Sequence, residues 1–286
     1  MIPDPGELDA IINRALAEDA VGSDATSLSL IPPNLEATAS LVTKQPGILA
    51  GIHIADAVFK RVNPDLKFVC RLQDGDRLAV GKTLATVSGS IASILSGERT
   101  ALNFLQRMSG IATLTDLYVS AVEGTNASIV DTRKTVPGLR RLDKYSVHIG
   151  GGRNHRMNLS DGVLIKDNHI AALRSTGNTL EQLIKQARST APHTLKIEVE
   201  VESVEGAISA ASAGADIVML DNMHPDDMRS AVAQISDQCI VEASGGITLA
   251  NVAEVASTGV DFISIGALTH SPMALDISLD YHTKIT

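Results

Sequence analysis

Between Asp131 and His169 the chain gathers eight lysines and arginines (Arg133, Lys134, Arg140, Arg141, Lys144, Arg153, Arg156 and Lys166) against four acids, although its 286 residues carry a net charge of -9. Gly150, Gly151, Gly152 and three histidines, His148, His155 and His169, lie among them. Concentrated positive charge in an acidic chain is costly unless an anion neutralises it, so the stretch predicts a site for a polyanionic small molecule. A solvated basic loop is the bland alternative. Arg133, Lys134, His155 and Arg156 offer a forked cationic clamp suited to a dicarboxylate, because a guanidinium binds carboxylate through two parallel hydrogen bonds. Lys166, ending the run GVLIK, leaves two chemistries open: a Schiff-base nucleophile, as in sugar-phosphate aldolases, or a charge partner for pyrophosphate. GGGRNHR is not a Walker loop, since no Gly-Lys-Ser/Thr follows it.

Six apolar runs turn polar at their ends: ASIVDTRK, GVLIKDNH, LKIEVEVE, DIVMLDN, CIVEASGG and FISIGA. Glu200, Asp221 and Glu242 recur at intervals of 21 residues, close to one βα unit each. Buried parallel strands with helical returns follow, and a barrel of that kind places its ligand where the strands end. The expectation is an α/β protein with an incomplete parallel barrel of six firm strands and a weaker one near His155. Glu200 and Asp221, at neighbouring strand ends, suit ribose hydroxyls, hydrated Mg²⁺, or positive charge developing on a sugar. Salt bridges to Lys166 or Lys134 are their structural alternative, since burying either acid unpaired is costly. Ser244-Gly245-Gly246 and Ile265-Gly266-Ala267 end the last two strands, where barrels bind phosphate through close backbone N–H groups.

The elements before the barrel are read by periodicity. Apolar residues at helical spacing predict helices over 6–19 and 52–62, and alternation predicts strands over 36–44 and 67–72. A long helix is expected from Ser96, as N-cap, to Val122, with Arg99, Asn103 and Arg107 on one face and a break at Gly110. Gly110 is therefore the expected boundary between a smaller domain, 1–110, and the barrel, 111–270.

A content of 44% hydrophobic residues fills a real core, and Cys70 and Cys239 sit in apolar runs that indicate neither a disulfide nor a zinc site. With no Trp, seven aromatics and a pI near 5.3, nucleic acid is not an expected partner. No apolar run reaches the roughly 20 residues of a membrane span, and 1–19 lacks the character of a signal peptide, so a soluble cytoplasmic protein is expected.

The phrases ERTALNFLQRMSGIAT, DTRKTVPGLR, KYSVHIGGGRNHRMNLSDGVLIKDNHI, EVEV, LDN, EASGGI and SIGALTHS occur in order over most of residues 96–272. In them the chain resembles the quinolinate phosphoribosyltransferase family. Residues 1–95 fit the family's N-terminal domain more loosely. A related protein of molybdenum-utilisation loci shares the glycines and the DTRK-like phrase; the complete KDNH phrase of Lys166–His169 sets the chain apart from it.

The resemblance implies an open-faced α/β sandwich before the barrel, a tail at 271–286 that packs back on that domain, and a homodimer. It implies transfer of phosphoribose from phosphoribosyl pyrophosphate to quinolinate, with Mg²⁺ and decarboxylation. Arg133, Lys134, His155, Arg156 and Lys166 are then expected around quinolinate and pyrophosphate, with Arg99 reaching the partner's site. Glu200 and Asp221 are expected at ribose and Mg²⁺, and Ser244, Gly245, Gly246, Gly266 and Ala267 at the 5-phosphate, with His270 a further candidate. Lys134, Lys166, Glu200 and Asp221 are the expected catalytic set.

Overall fold

The computed structural model describes residues 4–174 and 177–282. By packing the chain forms two compact units: residues 1–116, 135–151 and 268–286 make the first, and residues 117–134 and 152–267 the second. The last four residues of the expected tail, 283–286, lie outside the described residues.

In the first unit, strands β1 (Glu36–Thr43), β2 (Gly47–Ile48), β3 (Lys67–Cys70), β4 (Arg77–Leu78) and β5 (Thr83–Ser90) precede a long helix, Ile91–Ala121. Asp4 caps the helix Pro5–Glu18 by accepting from Gly6 N at 2.8 Å, and Pro5 occupies the first turn, where its missing N–H costs nothing. Asp74 accepts from Gly51 N and Ile52 N, both at 2.9 Å, and so satisfies the start of the helix Ile52–Val62. Leu41, Leu49, Val58, Phe59, Leu84 and Leu105 are fully buried in one core.

The helix expected to begin at Ser96 begins at Ile91, and it does not break at Gly110. Ser96 is no cap: its hydroxyl donates to Asp24 at 3.0 Å. Gly110 remains helical because its lack of a side chain admits a neighbouring backbone, a Cβ there lying 2.0 Å from the Met273 carbonyl oxygen. The division between the units falls after Asp116.

The second unit carries β6 (Ser128–Val130), β7 (Val163–Ile165), β8 (Ile197–Val201), β9 (Ile217–Asp221), β10 (Ile240–Ser244) and β11 (Phe262–Ser264). They pair in the order β6-β11-β10-β9-β8-β7, and every pairing is parallel. The first strand thus joins the last, as in a barrel left open at one seam, in agreement with the expected incomplete α/β barrel. The weaker strand expected near His155 is a single parallel bridge between Val130 and Arg153. Helical returns are capped by the short polar residues that precede them: Thr179 in a reciprocal capping box with Gln182, and Ser203 accepting from Gly206 N.

The last strand, β12 (Ile277–His282), lies antiparallel to β1 and completes the first unit's sheet in the order β12-β1-β5-β3. Among the described residues no helix is long and apolar enough to cross a membrane.

Candidate active site

The ends of the second unit's strands surround a cavity of about 500 Å³. Thr132, Arg133 and Lys134 follow β6, Lys166 follows β7, Glu200 lies on β8, Asp221 ends β9, and Ser244, Gly245 and Gly246 close β10. His155 and Arg156 enter from the segment after the Arg153 bridge. Asp131, fully buried, fixes that segment by accepting from His155 N at 2.9 Å and from Asn154 Nδ2 at 2.6 Å. The backbone is held by a carboxylate, so the side chains beyond it are aimed before any ligand arrives.

The two arginines of the cavity are incompletely paired. Arg133 Nε is buried and makes no hydrogen bond. Arg156 donates to the Gly162 carbonyl oxygen at 3.1 Å, and burial first, then the neighbouring charge of Arg133, pulls its pKa below the usual arginine value. Two guanidiniums in each other's field, one with an idle buried donor, are stabilised by an anion that accepts from both. Lys166 Nζ stands 3.5 Å from Glu200, the structural pairing expected for that acid.

Asp221 and Asn222 meet the glycine turn. Asn222 N donates to the Ser244 carbonyl oxygen at 2.9 Å, and Asn222 Nδ2 to Asp221 at 2.7 Å. Gly245 has φ +86°, and a Cβ on it would lie 2.3 Å from Asn222 Oδ1, so only glycine fits. The turn is a backbone cradle of the kind that takes phosphate.

Three groups lie deeper. His155 Nδ1 accepts from Arg156 N at 2.8 Å, which turns Nε2 toward Glu198 Oε2 at 3.1 Å and Glu242 Oε2 at 3.6 Å. Their ligand atoms all fall within 4.8 Å of one another. Burial, then the like charge of Glu198, pushes Glu242 up to about 7.

Not every expected residue comes to this cavity. Gly266 and Ala267 follow β11, which supplies Ser264 to the lining instead. His270 belongs to the first unit, exposed, its Nδ1 2.6 Å from Ser271 Oγ. Arg99 is also in the first unit, exposed beside another cavity of about 490 Å³ that Arg14 and Arg107 line.

The basic stretch, expected to act as one site, is divided. Arg140, Arg141 and Lys144 belong to the first unit, where Lys144 is fully buried, Arg141 pairs with Glu7 and Arg140 Nε donates to Thr135. Arg153 lies over the Phe262 ring, 5.9 Å from its centre. Sequence reasoning missed Asn222 and Ser264 as residues of this cavity's wall and Glu198 beside His155, and used Glu242 only as a marker of spacing. The period of two in IEVEV was the available signal, since it points Glu198 the same way as Glu200.

Comparison with known proteins places these features in a family. The family described as quinolinate phosphoribosyl transferase, C-terminal domain, matches residues 111–280, and its N-terminal domain matches residues 24–109. The probable nicotinate-nucleotide pyrophosphorylase (carboxylating) of Bacillus subtilis is 44% identical over 274 residues, covering 96% of this chain and 93% of its own. The nicotinate-nucleotide pyrophosphorylase (carboxylating) of Mycobacterium leprae is 43% identical, covering 94% and 95%. The crystal structure of NadC from Streptococcus pyogenes superposes with a TM-score of 0.93 at 39% identity, covering 99% of this chain and all of that one.

Proposed function

The chain belongs to the quinolinate phosphoribosyl transferase family, and from that membership and the cation-lined cavity we infer that it transfers phosphoribose from phosphoribosyl pyrophosphate to quinolinate, with decarboxylation to nicotinate mononucleotide. The observation that carries the site is the pair Arg133 and Arg156 with an idle buried donor, which suits a substrate bearing two carboxylates. Arg133 and Arg156 take the carboxylates and His155 flanks the ring, while Lys134 and Lys166 face the pyrophosphate. Ser244, Gly245 and Gly246 cradle the 5-phosphate, with Gly266 and Ala267 just beyond.

The ring nitrogen attacks the anomeric carbon as pyrophosphate departs on the opposite side. Glu200 and Asp221, at adjacent strand ends, stabilise the positive charge that develops on the ribose. Both are partly accessible oxygen donors and fit Mg²⁺ shared with substrate phosphates, which when bound neutralises the leaving pyrophosphate. The ring nitrogen is then cationic, so the carbon beside it can release CO₂ and keep the electron pair. Displacement of water from this cavity by the two substrates strengthens each of these interactions. The active assembly is a homodimer in which Arg99 serves the partner's cavity, in a cytoplasmic setting.

Incubation with phosphoribosyl pyrophosphate and Mg²⁺ tests this reading. Quinolinate should yield pyrophosphate, CO₂ and nicotinate mononucleotide in equal amounts, and nicotinate should yield none. Equal turnover of nicotinate, or no product from quinolinate, would overturn it.

A further inference from the structure

The reaction inferred above leaves one requirement unassigned, and the structure supplies a group for it. When CO₂ departs, the electron pair of the broken carbon–carbon bond stays on the ring carbon and must take up a proton. The arginines of the cavity do not give up protons, and Lys134 and Lys166 face the pyrophosphate in the reading above. Glu242 lies on the same wall, in the middle of β10, its side chain buried and its Oε1 without a hydrogen-bond partner.

Resting on that reading, we propose that Glu242 is the proton donor of the site, passing its proton to the ring carbon as CO₂ leaves. Glu198 on β8 and Asp131 after β6 both disfavour a negative charge on Glu242, while His155 and the Ser264 hydroxyl on β11 favour it. Its cross-strand neighbours, Met219 on β9 and Phe262 on β11, do not titrate. Two close buried carboxyls do not both ionise, because each charge raises the other's affinity for a proton. His155 cannot take the role, since its Nδ1 receives the Arg156 N–H and its Nε2 faces the acids.

The balance closes without a further reactant. The ring–carboxylate bond breaks, CO₂ leaves, the pair on the ring carbon takes the Glu242 proton, and Glu242 remains as a carboxylate. A second cavity of about 340 Å³ shares the Glu242 wall at the opposite, N-terminal ends of the strands, and Asp161, Thr194 and Lys196 on it are exposed. Water entering there restores the proton.

The test is a single turnover with quinolinate, phosphoribosyl pyrophosphate and Mg²⁺, with pyrophosphate and CO₂ followed separately. Glu242→Gln keeps the shape and removes the acid. It should release pyrophosphate at nearly the wild-type rate, slow CO₂ release about 100-fold, the usual weight of a general acid, and accumulate the undecarboxylated nucleotide. In the wild type, CO₂ release should fall as the pH rises through about 7, because the neutral form is the donor. Glu198→Gln removes the opposing charge, so it should move that fall to lower pH; this arm stands even if Glu242→Gln does not fold. Slowing of both products together in Glu242→Gln, or a pH profile unmoved in Glu198→Gln, would overturn the assignment. If wild-type protein released no pyrophosphate at all, the transferase reading would fail first and the proton donor with it.

Discussion

Two arginines, one in each unit, are treated in opposite ways. In the first unit Arg107 donates to both oxygens of Asp143, at 3.0 and 2.9 Å, and to the Thr269 carbonyl oxygen at 3.0 Å. Asp143 also accepts from Val136 N at 3.2 Å, and although burial raises its pKa, the Arg107 hydrogen bond and charge oppose that rise. In the second unit Arg133 keeps a buried Nε with no acceptor, next to a second guanidinium. The first arrangement is closed and the second open. Polar groups that hold a fold together satisfy one another, whereas groups that receive a ligand are left with unmet valence, at a cost to stability that the ligand offsets.

That contrast can be broken by substitution. Arg107→Ala should have the largest effect on stability, about 3–5 kcal/mol, because it leaves Asp143 buried without its partner. A shift in urea-unfolding free energy below about 1 kcal/mol would mean that the pair is not structural. Glu200→Gln should leave stability near the wild type but lower kcat by about 100-fold or more, the size expected for loss of transition-state charge stabilisation. Arg156→Ala should instead raise the KM for quinolinate with a smaller change in kcat, and identical effects from both variants would sink the division of roles.

Smaller effects sharpen the account. Gly245→Ala forces a side chain into φ +86° and against Asn222, and should cost about 1–2 kcal/mol while weakening phosphoribosyl pyrophosphate binding. Normal affinity in that variant would remove the turn from the phosphate site. Mixing Arg99→Ala with Lys166→Ala protein should restore about a quarter of wild-type activity, since half the dimers are mixed and each has one intact site. No restoration would confine Arg99 to its own subunit or to no role.

Much of this was legible from strand ends. The six runs whose last residues turn polar are the six strands of the parallel sheet, and Lys166, Glu200, Asp221 and Ser244 all reach one cavity as their positions imply. Depth within the barrel was harder to see. Glu198 and Glu200 point the same way along β8, but only the pairing of strands shows Glu198 beside His155 and Glu242. The basic stretch misled for a different reason: charge counted along the chain does not register that Arg140–Ile149 is a helix of the first unit with a buried Lys144. Gly110 was read by propensity as a helix break, whereas close packing against Met273 explains it.

The most direct test of the central claim is to measure quinolinate affinity and unfolding free energy together for Arg133→Ala. The open-site account predicts binding weakened by about 100-fold, or about 2.7 kcal/mol, with stability changed by less than about 1 kcal/mol or raised. Unchanged affinity with a large loss of stability would contradict it, and would make Arg133 a structural residue like Arg107.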